Sequence, residues 1–159
     1  MADLVRQTLD WIEAAPLKIR GTSVASASPE AVFAVLANHE AWPQWFPGLK
    51  RVDVLGPAAG VGARRRVKLP MTTVDEEFIA WEPGVRFAFT GTAASPRFTS
   101  SLVEDCRLEP TADGGTAIGY TMYLAPAGPA GFLIKAAAGR VRSNLQAGVD
   151  ALATLAAKA

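Results

Sequence analysis

Between residues 49 and 125 the chain alternates short apolar runs with turn signals, and this pattern constrains the fold more than any other feature. Runs of roughly eight to twelve residues bounded by glycine and proline are typical of antiparallel strands. The pattern therefore predicts six antiparallel strands, and residues 17–24 (LKIRGTSV) add a seventh at the start. The turn signals are Gly56-Pro57, Pro83-Gly84, residues 94–96 and residues 113–115.

The stretch IAWEPGVRFAF, residues 79–89, shows how two such strands connect. Pro83 presets φ and Gly84 accepts a positive φ without strain, which favours a type II turn between the two runs. After the turn, Val85, Phe87 and Phe89 alternate with other residues, so one face of this strand is apolar. An antiparallel sheet with one apolar face must be covered by another layer of structure.

The C-terminal segment is predicted to supply that layer as one long helix. Apolar residues, among them Ile134, Val141, Leu145 and Val149, recur at three-and-four spacing and give the helix one buried face. About 28 residues at 1.5 Å each make a helix of roughly 42 Å, which is long enough to lie across the whole sheet.

Shorter helices are predicted near the N-terminus. Residues 1–15 fit an amphipathic helix that ends near Pro16 and forms an appendage to a single domain of residues 16–159. Ser28, Pro29 and Glu30 provide a cap, a preorganised first turn and a carboxylate for the start of a second helix. The proline-interrupted segment 39–48 has room for one short helical turn.

Composition and single residues exclude several classes of site. The 159 residues are 50% hydrophobic and 19% charged with a net charge of +1, so we expect no nucleic-acid partner and interpret residues 64–66 (RRR) as a solvated outer strand face. Cys106 is the only cysteine and His39 the only histidine, so no disulfide, zinc site or other metal site is expected, and no cofactor. We expect His39 to be exposed at a helix end.

No segment has the features of a signal peptide or the roughly 20 consecutive apolar residues of a membrane span. The sequence thus predicts a cytoplasmic protein, monomeric or a weak homodimer.

Four stretches resemble the SRPBCC or START-like superfamily, whose fold is called helix-grip. They are SPEAVFAVLAN followed by WPQW, AWEPGVRFAF, the hairpin LEPTADGGTAIGYTM and the terminal helix. The closest subgroup is the polyketide cyclase/dehydrase and lipid-transport type. The resemblance implies an α+β fold in which a curved seven-stranded antiparallel sheet wraps the C-terminal helix, with two short helices after the first strand. It also implies an elongated hydrophobic cavity between the sheet and the helix.

From the expected facing of the strands we assign the walls of this cavity. Three aromatic residues of the proline-bounded segment form either a mobile lid or a plug of the core. A tyrosine on the last strand is either ordinary core or a group that orients a ligand oxygen. The expected wall residues are Trp42, Trp45, Phe46, Phe78, Phe87, Phe89, Leu102, Tyr120, Met122, Val141 and Leu145.

Acidic pairs on two strands are the candidates for acid-base chemistry. Successive residues of a strand point to opposite faces, so one acid of Glu76-Glu77 and one of Glu104-Asp105 point inward. Desolvation would raise the pKa of an inward Glu76 or Glu104 and make it a candidate general acid or base. The register of residues 73–81 stays open because Phe78 and Ile79 are both apolar.

The family shares no catalytic motif, so no catalytic residue is assigned through the resemblance. We favour a protein that binds or carries a small hydrophobic molecule, such as a lipid-like, isoprenoid or aromatic metabolite. The alternative is a cyclase or dehydrase that folds a poly-β-carbonyl chain in the same cavity, with Glu76, Glu104 or Tyr120 moving a proton.

Overall fold

Eight strands form one antiparallel sheet in the computed structural model, which describes residues 1–158. The strands are β1 (Ala2–Asp3), β2 (Leu17–Ala25), β3 (Arg51–Val54), β4 (Arg64–Lys68), β5 (Thr73–Glu82), β6 (Arg86–Ser95), β7 (Thr99–Pro110) and β8 (Thr116–Pro126). Seven of them neighbour each other in the order β2-β8-β7-β6-β5-β4-β3, which confirms the predicted sheet, and the short β1 pairs with the end of β6.

Helices cover one face of this sheet, which we call the inner face. The first α-helix begins as predicted, because the Ser28 hydroxyl accepts a hydrogen bond from the Ala31 amide at 3.2 Å and Pro29 occupies the first turn. The α-helices are α1 (Pro29–Ala37), α2 (Gly131–Ala136) and α3 (Ala138–Lys158), and 3-10 helices span Leu9–Ala14, His39–Gln44 and Gly128–Ala130.

The C-terminal helix is divided, in contrast to the continuous helix predicted. It breaks at Ala137 into α2 and the 21-residue α3. Only the part of α3 from Leu145 onward is packed tightly. Gly21 of β2 lets it approach so closely that a Cβ there would lie 3.3 Å from Leu145 and Val149. By contrast, Phe132 and Leu133 of α2 are 66% and 46% exposed. The first half of the helical segment is therefore the loosely held part of the covering layer.

The N-terminal segment also differs from the prediction of an amphipathic helix. Its only helical part is the 3-10 helix Leu9–Ala14, and residues 2–3 form β1. Leu4 is buried against Gly91 and Leu102, at the point where the pairing of β6 with β7 has ended. The segment fills a gap in the sheet because an unpaired strand edge needs a cover.

The structure determines the register of β5, which the sequence left open. Glu76 and Phe78 point to the inner face and are 5% and 1% exposed. A bulge between Phe78 and Ala80 then shifts the pairing, so that Trp81 lies opposite Phe87 and joins the same aromatic cluster, with the ring centroids 5.3 Å apart.

Candidate functional site

The inner face carries an aromatic shell around one buried arginine. Arg65 of β4 is 1% exposed, and its guanidinium carbon lies 4.0 Å from the ring centroid of Trp42 and 4.7 Å from that of Phe89. Phe78 contributes a third ring at 5.3 Å. Stacking on aromatic faces suits the planar, weakly hydrated guanidinium. The interpretation of residues 64–66 as a solvated face was therefore wrong for Arg65, although Arg64 and Arg66 are exposed.

A carboxylate on the neighbouring strand neutralises this arginine. Arg65 pairs with Glu76 across β4 and β5, and its Nε donates to Glu76 Oε2 at 2.6 Å. Burial raises the pKa of Glu76, while the Arg65 charge opposes that change. Because an arginine stays protonated in proteins, we assign the negative charge to Glu76 and treat the two as a buried ion pair.

His39 completes the surroundings of Arg65. Its Nε2 donates to the carbonyl of Ala58 at 2.7 Å, which leaves Nδ1 as an acceptor facing Arg65 Nη1 at 3.4 Å. Burial lowers the pKa of His39, and the Arg65 charge adds to that effect. The ring is thus neutral and 4% exposed, so the prediction of an exposed histidine was wrong.

A second buried carboxyl group lies on β7, next to a tyrosine of β8. The Tyr120 hydroxyl donates to Glu104 Oε2. Burial raises the pKa of Glu104 to about 8, and the Glu76 charge contributes to that rise. Burial likewise raises the pKa of Tyr120. Near neutral pH, Glu104 therefore keeps its proton, and its hydroxyl is available as a hydrogen-bond donor.

A small cavity joins the two carboxyl groups. Its volume is about 40 Å³, and Arg65, Glu76 and Glu104 form its polar wall. That volume holds water but not a lipid-like molecule. The apolar wall consists of Trp42, Phe46, Leu49, Val67, Leu69, Phe89 and Met122.

The structure brings the acid-base candidates together and separates the expected cavity residues into groups. Glu76, Glu104 and Tyr120 all point inward within one cluster. Among the expected wall residues, Trp42, Phe46, Phe89 and Met122 line the cavity. Val141 is only half-buried, and the others are buried in the surrounding core, namely Trp45, Phe78, Phe87, Leu102, Tyr120 and Leu145.

Sequence reasoning missed Arg65 and His39, and only one of the two carried a signal. The run ARRRVKL alternates around Val67, so Arg65 shares the inward face of its strand with that valine. The role of His39 depends on the Ala58 carbonyl, which comes from a loop distant in sequence. No local pattern reports such a contact.

Other features of residues 1–158 add no second chemical centre. They contain no cluster of three or more His, Cys, Asp or Glu side chains suited to a metal ion, and Cys106 is buried, which raises the pKa of its thiol. A concavity of about 700 Å³ lies on the outer face of β2, β7 and β8, but its buried carboxylate Asp105 is already paired with Arg86 and Arg107. None of the helices in this part of the chain has the length and hydropathy that crossing a membrane requires.

Comparisons with the sequences and folds of known proteins support a family assignment. The chain is 38% identical over 127 residues to an uncharacterized protein of Mycobacterium tuberculosis, covering 79% of this chain and 75% of that protein. The fold of the present chain matches that of the Zhui aromatase/cyclase of Streptomyces sp. R1128 with a TM-score of 0.74 at 17% identity. The match covers 88% of this chain and 93% of that one.

A START superfamily protein of Mycobacterium smegmatis matches with a TM-score of 0.71 at 14% identity, over 87% of this chain and 97% of that one. Residues 16–157 match the sequence profile described as "Polyketide cyclase / dehydrase and lipid transport". The chain therefore belongs to the polyketide cyclase/dehydrase and lipid transport family.

Proposed function

We propose that the protein binds a small, uncharged hydrophobic molecule that carries an oxygen acceptor, such as a ketone, an ester or an alcohol. The observation that carries the proposal is the buried polar wall of Arg65, Glu76 and Glu104 inside an aromatic core. Family membership supports hydrophobic ligand binding or cyclase activity in general. The polar wall supports the narrower choice of ligand.

The charge of the wall favours a neutral ligand. Arg65 and Glu76 cancel each other, and Glu104 and His39 are uncharged near neutral pH. A ligand carboxylate would add a buried negative charge without a free counter-ion, which is costly in a low-dielectric interior. An uncharged carbonyl or hydroxyl oxygen avoids that cost.

The hydrogen-bonding groups of the wall favour a ligand acceptor. Protonated Glu104 has a hydroxyl to donate, and Arg65 has guanidinium N–H groups beyond the one that contacts Glu76. Both residues therefore offer donors to an acceptor oxygen of a ligand.

Ligand uptake requires the cavity to enlarge. Its wall includes Met122 and Leu69, which are half-buried. The strand that carries Met122, β8, contacts both α2 and α3. Methionine adapts its shape readily, which suits a wall that opens and closes. Apolar contact then contributes about 25 cal/mol per Å² removed from water, before the costs of association.

The test compares ligands that differ only at the head group. A C12 or similar ketone, alcohol and carboxylate are offered to the purified protein, and binding is measured by native mass spectrometry and by the shift in Tm. We expect the ketone and alcohol to bind and the carboxylate to bind at least about tenfold more weakly, which corresponds to about 1.4 kcal/mol. Preference for the carboxylate would refute the neutral-ligand proposal.

Two pairs of variants locate the binding site. Met122→Trp fills the cavity wall, and Tyr123→Trp places the same bulk on the opposite face of β8. Glu104→Leu removes the proposed donor, and Glu109→Leu is the control on the exposed end of β7. Only the first variant of each pair should weaken binding. Equal effects within both pairs would place the ligand elsewhere.

A second candidate, a cyclase or dehydrase, is favoured by the Glu104–Tyr120 contact. In its base form, Glu104 would remove a proton from the carbon between two carbonyl groups of the ligand. The resulting enolate would attack another carbonyl group further along the same chain to form a carbon–carbon bond. The proton from Glu104 would then pass to the new alkoxide oxygen. Substitution of either residue, as Glu104→Gln or Tyr120→Phe, should then lower kcat far more than it changes KM. If both variants still turn over a poly-β-carbonyl thioester at the wild-type rate, this mechanism is excluded.

A further inference from the structure

One end of the sheet has an unusual combination of charge and exposed apolar groups. We call four loops of this end the rim, namely residues 48–51, 68–72, 95–98 and 127–137. The segment before β2 and the strand β1 reach the same end and carry the exposed acids Glu13 and Asp3. The rim loops themselves hold five basic residues and no acidic residue. The basic residues are Lys50, Arg51, Lys68, Arg97 and Lys135, and all five are exposed.

Hydrogen bonds join the four segments into one surface. The Lys50 amide donates to the Lys68 carbonyl at 2.8 Å, and the Thr72 hydroxyl donates to the Pro96 carbonyl at 2.7 Å. The Ala127 amide donates to the Phe98 carbonyl at 3.0 Å, which connects the third segment to the fourth. The rim is thus a continuous edge of the fold.

Large apolar side chains project from the same edge. Met71 is 72% exposed, and Phe132 and Leu133 of α2 are 66% and 46% exposed. Exposed apolar groups that share one edge with several basic residues indicate an interaction site. The loops at the opposite end, residues 26–28, 55–63, 83–85 and 111–115, also expose valines but contain no basic residue and one acid, Asp113. The rim loops therefore carry basic residues that the opposite loops lack.

We propose that the rim docks the protein on the surface of an anionic lipid bilayer. Basic side chains near such a surface attract its headgroups, and apolar side chains between them insert at the boundary of the acyl region. A bilayer needs no shape complementarity, which fits a rim built from apolar side chains on two separate segments and five scattered cations. Only Arg51 has an acidic partner close by, Asp53 at 2.7 Å.

The position of the rim gives docking a use, and this step alone rests on the proposed ligand binding. Leu49 and Leu69 belong to the rim and also line the inner cavity. A hydrophobic molecule that left the cavity beside them would enter the bilayer surface instead of water. The docking itself depends only on the charges and the exposed apolar groups.

The experiment measures adsorption of the full chain to vesicles. Co-sedimentation is compared between vesicles of phosphatidylcholine and vesicles in which about a third of the lipid is phosphatidylglycerol. We expect binding to the anionic vesicles that weakens as salt is raised. If the protein does not adsorb to anionic vesicles at low salt, the proposal is overturned, and an acidic protein is then the partner to consider. Because no cavity ligand is added, failure here is distinct from failure of the proposed function.

Matched variants assign the binding to the rim. Lys68→Glu with Lys135→Glu should weaken adsorption at least about tenfold, since one basic residue near the surface contributes about fivefold. The control is Arg64→Glu, at the other end of β4. For the apolar tips, Phe132→Ser is compared with Val61→Ser, which is 71% exposed in an opposite loop. The proposal is overturned if the control variants weaken adsorption as much as the rim variants do, provided that circular dichroism shows that all the variants are folded.

Discussion

Arg65 is the residue on which the interior of this protein most depends. It brings a full charge into a core of aromatic rings, and only Glu76 on the adjacent strand cancels that charge. Removing one partner of a buried ion pair leaves the other charge uncompensated, whereas replacing both by apolar groups is often neutral. The neighbouring pair, Arg66 with Asp75, has the same cross-strand register but is largely exposed.

This contrast gives a prediction for stability. Arg65→Met should lower the free energy of unfolding by about 3–5 kcal/mol, and Arg65→Met with Glu76→Leu should recover most of that loss. Arg66→Met should cost at most about 1 kcal/mol. Urea unfolding followed by tryptophan fluorescence measures all three values. A double variant no more stable than Arg65→Met would argue against an ion pair as the source of the loss.

Glu104 predicts a pH dependence of stability. The folded protein holds the Glu104 proton up to about pH 8, whereas the ordinary pKa is 4.5, so unfolding between these values releases a proton. The stabilisation is complete below pH 4.5 and is lost as the pH rises through 8. Over that window the free energy of unfolding should fall by about 1.4 kcal/mol per pH unit on account of this group.

Glu104→Gln removes the titration and keeps an oxygen that accepts from Tyr120. The pH dependence of its unfolding should therefore be flatter than that of the wild type in the same window. Glu109→Gln, an exposed position on the same strand, should leave the wild-type slope unchanged. Parallel slopes for the wild type and Glu104→Gln would mean that Glu104 is ionised in the folded protein.

Single residues also show how far the sequence predicts the site. Strand alternation made Tyr120 and one acid of the Glu104-Asp105 pair candidates for the apolar face. The same rule would have identified Arg65 had the arginine run not been interpreted as one charged surface. His39 could not be found this way, since its burial depends on a loop carbonyl and on tertiary contacts with Phe78 and Trp81.

At the scale of elements, the strands and the long C-terminal helix were predictable and the N-terminal segment was not. Turn chemistry and alternation act locally, so they determine β2 to β8 before any tertiary contact forms. The two-residue β1 is too short for any periodicity. The amphipathic pattern of residues 1–15 was misleading because Leu4 is buried in the gap between β6 and β7. Tertiary packing overrode local preference there.

This gap gives a prediction about local stability. Leu4→Ala should cost about 2 kcal/mol or more, as is usual for a leucine removed from a packed site. Its effect should be local: amide hydrogen exchange should accelerate at residues 91–95 and 99–102, where β6 and β7 separate, and not in the β2–β8 pair. Val5→Ala, at an exposed position next to it, is the control. Uniform acceleration across the sheet would contradict a local role.

At the scale of the whole molecule, the interior combines a large aromatic lining with little empty space. Strand alternation predicted aromatic residues on the inner face, but the volume of a cavity depends on how side chains interlock, which no periodicity reports. A volume of about 40 Å³ means that the protein is closed in this structure. A binding function then requires an open state. The apparent affinity for the ligand is lower than the intrinsic affinity, because only a fraction of the molecules is open.

The packing of the covering layer predicts where that opening occurs. Among residues 131–144 only Gly131 is buried, whereas residues 145–156 include six buried positions against the sheet and α1. Segments with few buried contacts open at low free-energy cost. Amides of residues 131–144 should therefore exchange faster than those of residues 145–156 in the free protein.

A neutral hydrophobic ligand should slow exchange in residues 131–144 and at the cavity wall around Met122 much more than in the β2–β8 pairing near Gly21. Met122→Trp, which fills the space without ligand, should slow the same segment in the absence of any ligand and remove the further response to it. Hydrogen-exchange mass spectrometry of both proteins, with and without ligand, measures these four states. If ligand slowed exchange only on the outer face of β2, β7 and β8, the molecule would bind in the polar concavity there, and the inner cavity would be a closed part of the core.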